Sequence, residues 1–213
     1  LMTLGINTAA IKYVAESEED SRPIISTSYA LILIAILSLS LIFFAFSNQI
    51  SNLFSVPIYI FNLAIVFAGF LSLYTISIDI LRSLHQIKKL SLFRLLYGAA
   101  SFVLLVIFFL FKQVFFKTII FSIIISYLLI FVLTIINLRQ HIFLKINKLW
   151  AKRLIGYGLY AMVGEMFFIL LPILGKIFVN KYLEIKDVGI YNAYYFSSIN
   201  IALFLYTVFM VVF

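Results

Sequence analysis

The sequence predicts an all-α, polytopic membrane protein, and three observations carry that prediction. First, 65% of the 213 residues are hydrophobic and 11% are charged, against roughly half and a quarter in soluble domains; the mean hydropathy is +1.18. Second, the apolar residues come in runs of about 20, the length at which a helix crosses a ~30 Å hydrocarbon core. Third, the polar segments between runs are short and basic. The formal charge of +8 therefore reads as membrane-loop charge and not as a nucleic-acid surface, because no basic face is interleaved with exposed aromatics. The chain has no cysteine, which excludes disulfides and thiolate metal sites.

The opening LMTLGINTAAIKYVAE reads as the last turns of a helix, and the polar loop ESEEDSRP follows it. Pro23 suits the first turn of the next helix, where its missing N–H costs nothing. Expected spans are Ile24 to Phe46, Ile58 to Ile80, Phe93 to Phe111, Thr118 to Leu138 and Leu154 to Ile177, with another beginning near Val188. SNQISNLFSVP is read as a loop, and Lys112 and Lys117 bracket a short turn. The closing FLYTVFMVVF stops inside an apolar run, so a segment of a larger membrane protein is expected. Leu1 to Val14 has neither a charged leader region nor a cleavage-site pattern.

Basic residues set the expected orientation. Eleven of the sixteen fall in alternate connections: Lys12 and Arg22; Arg82, Lys88, Lys89 and Arg94; Arg139, Lys145, Lys148, Lys152 and Arg153. That side is expected to be cytoplasmic. Between Leu138 and Arg153, Ile142, Phe143, Ile146, Leu149 and Trp150 recur at helical spacing with basic residues between them. This is the pattern of an amphipathic helix in the membrane interface, its Trp at headgroup depth; a plain hydrophobic linker is the simpler alternative. Residues 139–153 then separate a first group of helices, 1–138, from a second, 154–213.

Within the Leu154 to Ile177 run stands a single carboxylate, Glu165, roughly 16 Å from either end of the helix. A charge near the midplane costs on the order of 3 kcal/mol on insertion scales, so it is expected to face protein or water. Gly158, Ala161, Glu165, Pro172 and Lys176 share one ~60° stripe at helical periodicity. The rest of the helix surface is mainly Leu, Ile, Met and Phe.

Two stretches resemble a known family. LGINTAAIKYVAE, through Leu4, Gly5, Ala9, Ala10, Lys12, Tyr13 and Glu16, resembles the end of the second helix in bacterial polysaccharide and oligosaccharide-lipid flippases. These belong to the multidrug/oligosaccharidyl-lipid/polysaccharide exporter superfamily, which is MATE-like in fold. The second stretch, from Arg153 to Ser198, resembles the start of that family's second lobe. It has a Tyr-Gly helix (Tyr157, Gly158) and a run of Val188, Gly189, Ile190, Tyr191, Ala193 and Tyr194 opening the next helix. Two departures stand out: Leu159 and Tyr160 follow the Tyr-Gly pair where the family often has a proline, and Lys176 stands where an acidic residue is common.

The resemblance implies a two-lobe transporter of which helices two to eight are present. Alternating access would move a lipid-linked oligosaccharide, carried on undecaprenyl diphosphate, across the bacterial cytoplasmic membrane. It implies H⁺ or Na⁺ as possible coupling ions and no cofactor.

Candidate site residues each have a structural alternative. Glu165 is expected to bind a coupling cation or proton, or a headgroup; otherwise it is satisfied at a helix interface. Lys176 is a candidate diphosphate contact, or a lysine snorkelling to the interface. Asp79 and Arg82, spaced i, i+3, read first as an ion pair and second as part of a cytoplasmic gate. Tyr191 and Tyr195 read first as an interfacial aromatic belt and second as sugar-stacking rings. No catalytic motif appears: His85 and His141 lack a carboxylate or nucleophile at useful spacing. The competing readings are a cation-coupled multidrug exporter of the same superfamily, a membrane-embedded glycan polymerase or ligase, and a membrane scaffold. Short outer loops argue against the polymerase.

Overall fold

In a computed structural model, residues 2–17, 21–53, 56–111, 116–139 and 146–212 are described. Among them are eight helices and no strand: α1 (Ile6–Glu16), α2 (Arg22–Ala45), α3 (Ser47–Leu53), α4 (Ile58–Ser83), α5 (Ile87–Leu110), α6 (Phe116–Asn137), α7 (Lys148–Tyr182) and α8 (Ile185–Val212). The protein is an all-α helical bundle. In a bilayer only helices or closed barrels satisfy every backbone N–H and C=O, and runs of Leu, Ile and Phe without internal breaks choose the helix.

Among the described residues, α2, α4, α5 and the Thr118–Asn137 stretch of α6 are long and apolar enough to cross a membrane. The two further expected spans coincide with α7 and α8; their crossing rests on the sequence. Besides α7, described below, three elements differ from the sequence reading. Ser47–Leu53, expected as loop, is the short helix α3, set off from α2 by Phe46 alone. Helix α5 begins at Ile87, because the turn at Leu84–Gln86 is tight, with His85 at φ +53°. Helix α1 begins only at Ile6, because Leu4 (φ +49°) and Gly5 (φ +68°) adopt left-handed backbone just before it. Hydrophobic periodicity carries no signal for any of these turns.

The chain divides into two units, Leu1–Met162 and Val163–Phe213. In the first, α4 is the hub, packing against α1, α2, α3, α5 and α6. Burial follows: 44% of the apolar window of α4 is buried, against 6% for α5, so the other helices of this chain leave most of the α5 surface uncovered. The core gathers Ile6, Ala10 and Val14 of α1, Ile25 and Tyr29 of α2, Ile76 and Ile80 of α4, and Ile130 of α6. Leu154 of α7 is fully buried in the same core.

Hydroxyls in these helices are satisfied within their own turns. Thr27 donates to the Pro23 carbonyl (2.6 Å), Ser72 to Ala68 (2.8 Å), Ser126 to Ser122 (2.8 Å) and Thr134 to Ile130 (2.8 Å). Small residues with self-satisfied hydroxyls let helices approach closely without stranding a polar group in hydrocarbon.

The second unit holds the rest of α7 and α8. At the start of α8 the Asp187 carboxylate accepts a hydrogen bond from the Glu184 backbone N–H at 3.1 Å, half of a capping box. The Tyr191 ring lies against Gly175 of α7, its hydroxyl where a Cβ would be.

Residues 140–145 of the expected interfacial helix lie outside the described residues, as do Glu18, Glu19, Asp20 and Lys112. Residues 148–153, placed in that linker by sequence, are the first turns of α7.

Candidate functional site

Asp79 sits in the last turns of α4 and is 7% exposed. Its Oδ1 lies 3.7 Å from an Arg82 guanidinium nitrogen, so the i, i+3 pair forms. A second partner comes from 72 residues away: Asn7 Nδ2 of α1 donates to Asp79 Oδ2 at 3.1 Å. The other end of that amide, Asn7 Oδ1, is buried without a hydrogen-bond partner among the described residues. Burying a carboxylate is costly unless it is both paired and hydrogen-bonded, and here both conditions hold. Nearby, the Tyr29 hydroxyl of α2 donates to Ser77 Oγ of α4 at 3.3 Å. Helices α1, α2 and α4 are thus joined by polar contacts around a well-satisfied acid.

The two motifs that carry the family resemblance meet in space. A Cβ on Gly5 would collide with the Gly158 carbonyl, and a Cβ on Gly158 would lie 3.0 Å from the Leu4 carbonyl oxygen. Both the close approach and the positive φ of Gly5 require glycine there. Toward the basic end, the same pair of helices is joined by rings and cations. Tyr13 meets Tyr157 edge-on with centroids 5.9 Å apart and Trp150 at 5.8 Å. Lys12 Nζ stands 4.3 Å from the Tyr157 ring centroid. This α1–α7 seam was not legible from either motif alone.

Farther along α7, Glu165 and Lys176 are partly buried, while Tyr160, Val163 and Phe167 on other faces are exposed. The side chain of Pro172, expected on the same stripe, lies outside the described ones. Tyr191 and Tyr195 stack at 6.1 Å and 22°. Tyr191 packs on Gly175 as described above, next to Lys176 in sequence, whereas Tyr194 is 73% exposed. Asp79 and Arg82 belong to the first unit; Glu165, Lys176, Tyr191 and Tyr195 belong to the second. Three further tyrosines, Tyr74 of α4, Tyr97 of α5 and Tyr127 of α6, form a ring cluster with centroids 4.9–5.1 Å apart. Each lies in mid-helix, and no linear spacing in the sequence relates them. Among the described residues, no group of His, Cys, Asp and Glu has the arrangement of a metal site.

Helix lengths, the apolar surface of α5 and the paired charge at the end of α4 define a multi-pass membrane protein. The family model for polysaccharide biosynthesis proteins matches residues 1–213, and the chain belongs to that family. Neither a curated protein nor a solved structure matches it.

Proposed function

We propose that this chain is part of a flippase that moves a lipid-linked oligosaccharide across the bacterial cytoplasmic membrane by alternating access. The observation that carries the reading is the polysaccharide-biosynthesis family match over the whole chain. It comes in a protein of long apolar helices whose sequence holds no catalytic motif. A carrier of undecaprenyl-diphosphate type suits the substrate class, since its glycan must cross the hydrocarbon while its tail stays in it.

In this mechanism two lobes rock about a midplane cavity, so contacts between them must form and break in each cycle. The α1–α7 seam has the properties of such a closure at the cytoplasmic end. Glycine backbones in direct contact give a close fit with no side chains to disentangle, and a few ring and cation–π contacts add modest energy, about 0.5–1 kcal/mol each. Glu165, on the polar stripe of α7, is assigned the coupling role: it binds H⁺ or Na⁺ and thereby biases one of the two states. Lys176 is assigned to the diphosphate. Asp79 and Arg82 are assigned to structure, because the acid is already satisfied by Asn7 and Arg82. Tyr191 is assigned to packing against α7, and Tyr195 completes its stack.

The test is transport by the purified full-length protein in liposomes. One arm carries a labelled undecaprenyl-diphosphate oligosaccharide, whose arrival in the opposite leaflet is read by an impermeant glycan-modifying enzyme. A second arm carries an organic cation such as tetraphenylphosphonium. Glycan-lipid transfer well above that of empty liposomes, with no cation movement, is expected. Cation transport without glycan transfer would assign the protein to drug export instead, and elongation of the glycan would make it a polymerase.

A further inference from the structure

At the basic end of the bundle, the first two turns of α7 and the last turn of α1 enclose an open cavity of ≈ 710 Å³. Lys148, Lys152 and Arg153 line it together with Tyr13, Gly156 and Tyr157. Lys148 and Lys152 are one helical turn apart, so both ammonium groups serve the same face of α7. The lining contains three cations and no acid. Among the described residues none of the three forms an ion pair. The described acid nearest in sequence to Tyr13, Glu16, is exposed and does not line the cavity, although it closes the same last turn of α1.

The cavity is built on fixed supports. Asn147 Oδ1 accepts hydrogen bonds from the Leu149 and Trp150 backbone N–H groups at 3.0 and 3.4 Å, capping α7. The Asn147 N–H in turn donates to Thr27 Oγ1 of α2 at 3.1 Å. Arg153 is held over the Trp150 ring at 5.0 Å, and that ring meets Tyr13. Gly156 leaves the floor open, since nothing lies within 4 Å of where its Cβ would be. Leu149 also lines the cavity, and it and Ile155 are 57% and 43% exposed, apolar side chains available to acyl chains.

We infer that this cavity binds the phosphate-bearing headgroup of an anionic phospholipid from the cytoplasmic leaflet. Basic pockets between helix ends on that side are suited to such headgroups, and each nearby Lys or Arg adds to the attraction. Trp and Tyr mark the headgroup level. Lys148 and Lys152 contact the phosphate as point charges, and Arg153 offers a planar fork from the rim. The acyl chains lie along Leu149 and Ile155. The site is independent of what the bundle transports.

The experiment titrates the purified full-length protein in detergent with dioleoyl phosphatidylglycerol or dioleoyl phosphatidylcholine, counting bound lipid by native mass spectrometry. Phosphatidylglycerol is expected to bind at least tenfold tighter. The Lys148→Gln/Lys152→Gln/Arg153→Gln protein is expected to lose that preference. Gly156→Leu fills the open floor while keeping every charge and favouring the helix, so it is expected to lose the preference with an unchanged melting temperature. Lys148→Arg/Lys152→Arg is expected to keep it. Equal affinity of the wild-type protein for the two lipids overturns the proposal, as does a preference that survives Gly156→Leu. Saturable binding of sodium phosphate that displaces the lipid at equal concentration overturns it too, because the site would then take a free anion.

Discussion

Away from the first and last turns of the described helices, Asp79 and Glu165 are carboxylates in apolar surroundings, and their burial differs. Asp79 is buried near the C-terminal end of α4, with an arginine one turn away and an amide from α1 on its second oxygen. Glu165 lies in the middle of α7, partly buried, on the polar stripe of a helix whose other faces are apolar. Both are costly in a bilayer. At Asp79 two fixed partners from the chain compensate it, which leaves that group little to offer a moving ion. Glu165 keeps part of its surface accessible, the setting a coupling residue requires. Intramembrane charge is therefore not sufficient to name a functional residue; burial separates the two, Asp79 being 7% exposed and Glu165 only partly buried.

The contrast can be broken or sharpened by substitution, and the largest expected effect comes from the seam that positions α1. Gly5→Val places a β-branched side chain at φ +68° and drives its Cβ into the Gly158 carbonyl. A loss of about 3 kcal/mol is expected, visible as a large drop in melting temperature in detergent. Asp79→Ala comes next. It removes the acceptor of Asn7 and the partner of Arg82, and about 2 kcal/mol should be lost. Because Arg82 is half exposed and can turn to water, the loss should fall short of that for a fully buried pair. Asn7→Leu, which deletes one hydrogen bond to Asp79 but also an unpartnered buried oxygen, should cost only about 1 kcal/mol. Lys12→Gln, losing the cation–π contact with Tyr157, should cost about 0.5–1 kcal/mol, best read by chemical denaturation. Glu165→Gln, which keeps the side chain's size and can still hydrogen-bond, should change stability least, by about 0.5 kcal/mol.

Much of the bundle was legible in the sequence because a bilayer imposes length and composition on every span. The positions of α2, α4, α5 and α6 followed from apolar runs, and the Asp79–Arg82 pair from i, i+3 spacing. What stayed hidden depends on partners distant in sequence or on single backbone angles. Asn7 is an unremarkable residue in an apolar helix until folding brings it to Asp79. Leu4-Gly5 and Tyr157-Gly158 were each recognisable as family motifs, yet nothing local says that they touch. The extra turns of α5 and the short α3 follow from tight turns at His85 and Phe46, to which hydrophobic periodicity is blind. Tyr191 read as an interfacial aromatic; its packing on Gly175 depends on how α8 folds back.

The central claim, that Glu165 works while Asp79 holds, is tested most directly by glycan-lipid transfer per folded molecule in proteoliposomes for Glu165→Gln and Asp79→Asn side by side. The account predicts that Glu165→Gln reconstitutes in normal yield and loses transfer at least tenfold, whereas Asp79→Asn gives a lower folded yield but near-normal transfer per molecule. Normal transfer by Glu165→Gln, or a transport-dead but stable Asp79→Asn protein, would contradict it.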